Sequence, residues 1–111
     1  MSESMSKTKS ETVVRPRIEP KLNIPEPHNY RVIYINDETT AMEFVIESLI
    51  DVFNYSAETA FQITEDIHHA GSAVVAVLPY EIAEQKGGEV ISSARIQNFP
   101  LQIKVEPDNV Q

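Results

Sequence analysis

Tyr30-Arg31-Val32-Ile33-Tyr34-Ile35-Asn36-Asp37 is the stretch of this 111-residue chain on which the fold turns. Five of its first six residues are β-branched or aromatic, the composition of a strand, and Asn36-Asp37 is a turn-forming pair that ends it. Just beyond, Thr40-Ala41-Met42-Glu43 has capping-box spacing, a hydroxyl followed three residues later by a carboxylate, which predicts a helix from about Thr40. Met42, Val45, Ile46, Leu49, Val52 and Phe53 then recur at three and four residues and give that helix one apolar face, until Asn54-Tyr55 breaks it.

The same alternation of elements continues outward. Ser56 stands as a second N-cap before Ala57 to His69, where Ala60, Phe61, Ile63, Thr64, Ile67 and His68 share helical spacings, and Gly71 is a C-terminal stop. Ala73 to Leu78 is apolar at every position and too short for a helix, so it reads as a strand buried on both faces or nearly so. Pro79 suits a helix N1 position, and Tyr80 to about Asn98 forms a third helix in which Gly87-Gly88 costs roughly 1 kcal/mol per glycine. After Pro100, Leu101 to Val105 alternates as a half-exposed strand. The order is β-α-α-β-α-β, an α+β domain with helices on one face of a three-stranded sheet.

Upstream of Tyr30 the character changes. Residues 1–28 have no aromatic residue, carry Pro16, Pro20, Pro25 and Pro27, and hold five bases against four acids, which reads as a flexible N-terminal extension. Residues 29–106 form the core domain and 107–111 a short C-terminal tail. With four bases and thirteen acids after residue 28, the formal charge of −8 belongs to the core and disfavours nucleic acid and anionic membranes. No apolar stretch of signal-peptide length precedes Tyr30 and no run of ~18 apolar residues occurs, so a cytoplasmic protein is expected. The chain has no cysteine, which removes disulfides, thiolate metal sites and a cysteine nucleophile.

Few reagents remain. Glu65-Asp66-Ile67-His68-His69 is a poor metal site, because adjacent helical residues point about 100° apart, and no metal or other cofactor is expected. A hydrolase built on Asp37 and His68 lacks a nucleophile and an oxyanion donor, so the chain reads as a non-enzyme. The loop Asn36-Asp37-Glu38-Thr39-Thr40 supports two readings. In one it only turns the chain and caps a helix. In the other it is the anionic rim of an apolar-floored pocket, suited to an ammonium group beside a bulky apolar group.

Four separated stretches, Tyr30 to Val45, Ile67 to Gly71, Glu81 to Lys86 and Pro100-Leu101, closely resemble the ClpS family, adaptors of bacterial Clp proteases that recognise N-degrons. The resemblance covers about residues 29–106 in order. It implies three helices on a three-stranded antiparallel sheet, and a long N-terminal extension that residues 1 to about 27 fit. It also implies that Asn36, Asp37 and His68 bind the free α-amino group of a substrate protein. Its first side chain would enter a hydrophobic pocket of Ile35, Thr40, Met42, Val45, Thr64, Ile67 and Leu101. Glu81 and Lys86 match positions at which the family docks on the N-terminal domain of a Clp-family AAA+ ATPase, and the extension would be engaged by the ATPase pore. The partners implied are thus that ATPase and N-degron substrates.

The chain departs from the family pattern at Glu38, Ala41 and His69, and above all at Thr64, where a Met is usual and acts as a gate against β-branched first residues. A competing class is an acidic assembly module like the C-terminal domain of the ribosomal stalk protein, which has a similar α+β arrangement but lacks the Asn-Asp and His pairing.

Overall fold

The structure, a computed structural model, describes residues 28–109, so the expected N-terminal extension lies outside the described residues except for His28. The elements run β1 (Tyr30–Ile35), α1 (Met42–Asp51), α2 (Ala57–Ala70), β2 (Ser72–Leu78), α3 (Tyr80–Ile96) and β3 (Gln102–Pro107). The sheet order is β2-β1-β3, with both pairings antiparallel. β1 is therefore central, and its ends are flanked by both neighbours.

One face of the sheet is covered by helices. Val32 and Tyr34 are fully buried, and the register sets them against Val105 and Ile103, which pack on the same core. Tyr34 is the largest of the fully buried side chains. Its hydroxyl lies 2.7 Å from Ser48 Oγ in α1, and Ser48 donates its single proton to Val45 O at 2.8 Å, so Tyr34 must donate to Ser48. Burial pushes the Tyr34 phenol far above its ordinary range, the Ser48 bond offsetting only part of that, so it stays protonated.

α1 differs from its expectation at both ends. It begins at Met42 rather than Thr40, and Ala41 holds the N-cap position with no side-chain hydrogen bond. The capping box does not form, because Thr40 is engaged by Asp37 instead. The buried stripe is Phe44, Val45, Ser48 and Leu49, while Met42 is 37% exposed. α2 follows expectation: Ser56 Oγ accepts from Thr59 N–H, and Gly71 ends the helix in the left-handed region at φ 92°.

β2 is not buried on both faces. It is an edge strand whose register slips opposite Val32 and Ile33, leaving Val75 as the extra, buried residue of a bulge, while Val74 and Val77 are 46% and 45% exposed. The apolar run thus reflects a bulge that turns successive residues inward, not a second covered face. Tyr55 donates its hydroxyl to Val75 O and fixes this irregular point.

α3 takes Pro79 as its N-cap and ends at Ile96, after which Asn98 turns the chain at φ 64°. β3 extends to Pro107, and Asp108 N–H donates to Asn29 O at 3.0 Å, so ordered pairing continues past residue 106. Gly87 is buried beneath Ile103 and Val105, yet a Cβ there would meet them at 3.6 and 3.9 Å, ordinary contacts. Nothing lies within 4 Å of a Cβ at exposed Gly88. Neither glycine is demanded by space. Gly88→Ala should therefore stabilise the protein by about 1 kcal/mol through helix propensity alone. In thermal unfolding that is a rise of roughly 4–8 °C for a domain of this size; an unchanged or lowered midpoint would contradict this.

Candidate functional site

The end of the central strand carries the chemistry. Ile35 pairs with Ser72 on one side and with Gln102 on the other. One residue further, Asn36 N–H donates to Gly71 O at 2.9 Å, and Gly71 N–H donates back to Ile67 O, which joins the last turn of α2 to the end of β1. The left-handed Gly71 makes this junction possible, and His68 three residues earlier is carried alongside Asn36. On the other flank, the residue before Gln102 is Leu101, 2% exposed.

The loop between β1 and α1 is held by one carboxylate. Asp37 Oδ1 accepts the N–H groups of Thr39 and Thr40 at 2.8 and 2.6 Å, and Oδ2 accepts the Thr40 hydroxyl at 2.8 Å. Desolvation pushes the Asp37 carboxyl up, but the hydrogen bonds from Thr40 and Thr39, with the nearby Arg95 guanidinium, outweigh it and hold the group below its ordinary value. A carboxylate has about four acceptor positions, so Oδ2 retains one. The Asn36 side-chain amide and the His68 ring have no hydrogen-bond partner among the described residues. His68 is exposed, in edge contact with His69, whose ring meets Glu65 Oε1 at 3.1 Å.

Ile35, Asn36, Asp37, Thr40, Met42, Val45, Thr64, His68 and Leu101 line one cavity. Every residue expected at the amino-group site or the hydrophobic pocket is there except Ile67, which is 3% exposed and packs into the core. Thr64, 2% exposed, donates its hydroxyl to Ala60 O at 2.8 Å, so the hydroxyl is satisfied within α2 and the methyl is left for the cavity. The cavity is about 20 Å³, room for roughly one water molecule. A larger cleft of about 180 Å³ lies between α1 and α3 and is lined by none of these residues.

Glu81 and Lys86 are not brought together. Five residues apart on α3, they are rotated about 140° from each other. Lys86 Nζ donates to Val52 O at 2.8 Å and sits 5.9 Å from the Phe53 ring, closing the C-terminal end of α1, while Glu81 is exposed in the first turn of α3. Arg95, which acts on Asp37, was not singled out from sequence. It lies 58 positions from Asp37, and no local pattern links the two.

The family profile described as ATP-dependent Clp protease adaptor protein ClpS matches residues 25–104. The chain belongs to the ClpS family. It is similar to the ATP-dependent Clp protease adapter protein ClpS of Campylobacter jejuni subsp. jejuni serotype O:23/36 (strain 81-176), 45% identical over 85 residues that cover 77% of this chain and 88% of that protein. The adapter protein ClpS of Treponema denticola is 47% identical over 81 residues, covering 73% and 80%. Among solved structures, Agrobacterium tumefaciens ClpS2 bound to L-phenylalaninamide superposes with a TM-score of 0.72 at 37% identity, covering 75% of this chain and all of that one. ClpS membership sets the stalk-like alternative aside, and ClpS proteins are protease adaptors rather than enzymes. Among the described residues no helix is long and apolar enough to cross a membrane.

The bonds at Asp37 have a measurable pH signature. Because its folded pKa lies below the ordinary value of 3.8, the stability it contributes is present above that value and is lost as pH falls through the lower folded one. Asp37→Asn keeps the acceptor at Oδ1 but replaces Oδ2 with a donor. Thermal unfolding should show a gap between wild type and Asp37→Asn that is full at pH 6 and closes below about 3.8; a gap constant down to pH 2 would contradict the assignment.

Proposed function

We propose that this chain is an adaptor that binds the free α-amino group and bulky hydrophobic first residue of N-degron proteins and delivers them to a Clp-family AAA+ ATPase. The observation that carries the reading is the convergence of Asn36, Asp37 and His68 with an apolar set on one cavity. An α-ammonium has three donors, and the Asn36 side-chain oxygen, the remaining position on Asp37 Oδ2 and an unprotonated His68 nitrogen offer three acceptors. L-phenylalaninamide, bound by the similar Agrobacterium protein, has this chemistry: a free α-amine, a benzyl side chain and no carboxylate.

Magnitudes require both halves of the site. Burying a Leu or Phe side chain contributes about 1.5–3 kcal/mol, and each hydrogen bond to a charged group about 1.5–3. A micromolar complex needs about 8 kcal/mol, which the side chain cannot supply alone and three such hydrogen bonds, about 4.5–9 together, reach only at the top of their range.

A cavity of about 20 Å³ cannot hold a Leu or Phe side chain, so binding must widen it. Met42, 37% exposed and unbranched, is the lining side chain free to swing aside, whereas Thr64 is buried and held by Ala60 O. Met42 thus governs entry, and Thr64, at the position where the family usually has a gating Met, governs the depth. Docking on the N-terminal domain of the ATPase through Glu81 and Lys86, which lie on different sides of α3, with residues 1–28 as the segment handed to its pore, completes the adaptor reading. Lys86 contributes there while still closing α1. The reading places the protein in the cytoplasm with its protease.

Fluorescence anisotropy with a Phe-initiated peptide tests the site. The free-amine peptide should bind at micromolar concentration or better and its N-acetylated form at least 100-fold more weakly; equal affinities would remove the ammonium site. In the same assay, Thr64→Met should shorten the pocket and weaken Phe more than Leu peptides by several-fold, whereas an unchanged Phe-to-Leu ratio would show that residue 64 does not set its depth.

A further inference from the structure

On either side of Leu101 in sequence, Pro100 and Gln102, with Arg95, Asn98 and Phe99, line an open cleft of about 400 Å³. The two concavities are separated by one residue: Leu101 lines the first, and its neighbours Pro100 and Gln102 line the second. Gln102 is also the register partner of Ile35, immediately before Asn36 and Asp37. Arg95 in this cleft is near enough to Asp37 to act on its charge, and an extended chain advances about 3.3–3.6 Å per residue, so a peptide whose first residue occupies the cavity can bring its second or third residue to the cleft.

Arg95 gives the cleft its character. Its Nη1 donates to Phe99 O at 2.8 Å. That carbonyl is itself fixed, since Phe99 N–H donates to Ala94 O at 2.8 Å and the Phe99 ring meets the buried Phe44 ring edge-on at 5.5 Å. The guanidinium is thus anchored through one of its five N–H donors, and the others remain for a ligand. Of the other cations of the core, Arg31 pairs with Glu106 at 3.3 Å, Lys86 is held by Val52 O, and Lys104 stands exposed on β3 outside this cleft. Among the described residues Arg95 makes no ion pair within 4.0 Å, although it is near enough to Asp37 to favour its charged form. The neighbouring side chains Asn98 and Gln102 are neutral hydrogen-bonding amides, exposed beside it.

We propose that this cleft is the subsite for the chain following a bound N-terminal residue, and that Arg95 gives it a preference for a carboxylate on the second or third residue. The proposal rests on the N-degron reading above and adds a determinant to it. It runs against the net charge: a protein of formal charge −8 should on that ground favour basic peptides, so a local preference for acid has the opposite sign. An exposed ion pair contributes up to about 1 kcal/mol, about fivefold in affinity.

The test uses the full chain and four free-amine peptides, with Glu or its neutral isostere Gln at position two or position three after Phe. At low salt, one Glu peptide should bind the wild type about three- to fivefold more tightly than its Gln counterpart. Arg95→Gln keeps a donor for Phe99 O and should bring that ratio to one, while Arg95→Lys keeps part of it. Because ratios are compared within each variant, a general weakening of the site cancels. Glu-to-Gln ratios of one or below at both positions in the wild type, or a ratio unchanged in Arg95→Gln, would overturn the subsite while Phe-peptide binding left the amino-group site standing. Failure of every free-amine peptide to bind would overturn both.

Discussion

One carboxylate holds the functional end of this molecule in shape. Asp37 draws together the N–H groups of Thr39 and Thr40 and the Thr40 hydroxyl, so the chain leaving the central strand folds tightly back before α1 begins. Without that closure Thr40 and Met42 would not face Ile35 and Leu101 across the same cavity. In the proposed function the same anion would supply the negative charge that an ammonium ligand requires. Its charge is favoured despite the desolvation it suffers because the hydrogen bonds from Thr40 and Thr39, with Arg95 nearby, outweigh that desolvation.

The sheet order makes this closure useful. With β1 in the centre, its C-terminal end meets both edge strands, and each contributes a flank: Gly71 and with it His68 from one side, Leu101 from the other. Tyr34, buried two residues before the loop and donating to Ser48, locks the strand to α1 at the same end. Residues scattered from position 35 to position 101 in sequence are therefore adjacent for reasons of backbone pairing, and the side chains themselves need only be short.

Much of this was legible in the sequence, and the physics explains which parts. The order of elements follows from hydrophobic period, and the ends of α2 from Ser56 and Gly71, whose local bonds form as their types suggest. At Thr40 the local rule failed because two carboxylates competed for one segment: Asp37, not Glu43, captured the Thr40 N–H, and the Thr40 hydroxyl with it. The β2 run misled because an apolar sequence does not record a bulge, and only the pairing reveals that Val75 is inserted while Val74 and Val77 face outward. The lining of the cavity, Ile67 apart, was named from the family resemblance; the residues alone left the loop between a turn and a pocket. Arg95 was invisible, since its nearness to Asp37 is a product of the tertiary fold.

The central claim is that an ammonium ligand is held at the end of β1 and not in the larger cleft between α1 and α3. Two-dimensional ¹H–¹⁵N NMR of the full chain titrated with L-phenylalaninamide addresses it directly. The account predicts the largest shifts at the Asn36 side-chain amide, the Thr39 and Thr40 backbone amides and the His68 ring nitrogens, all saturating together. Shifts centred on Glu47, Asp51, Ser93 and Gln97, with the loop from Asn36 to Thr40 unmoved, would contradict it.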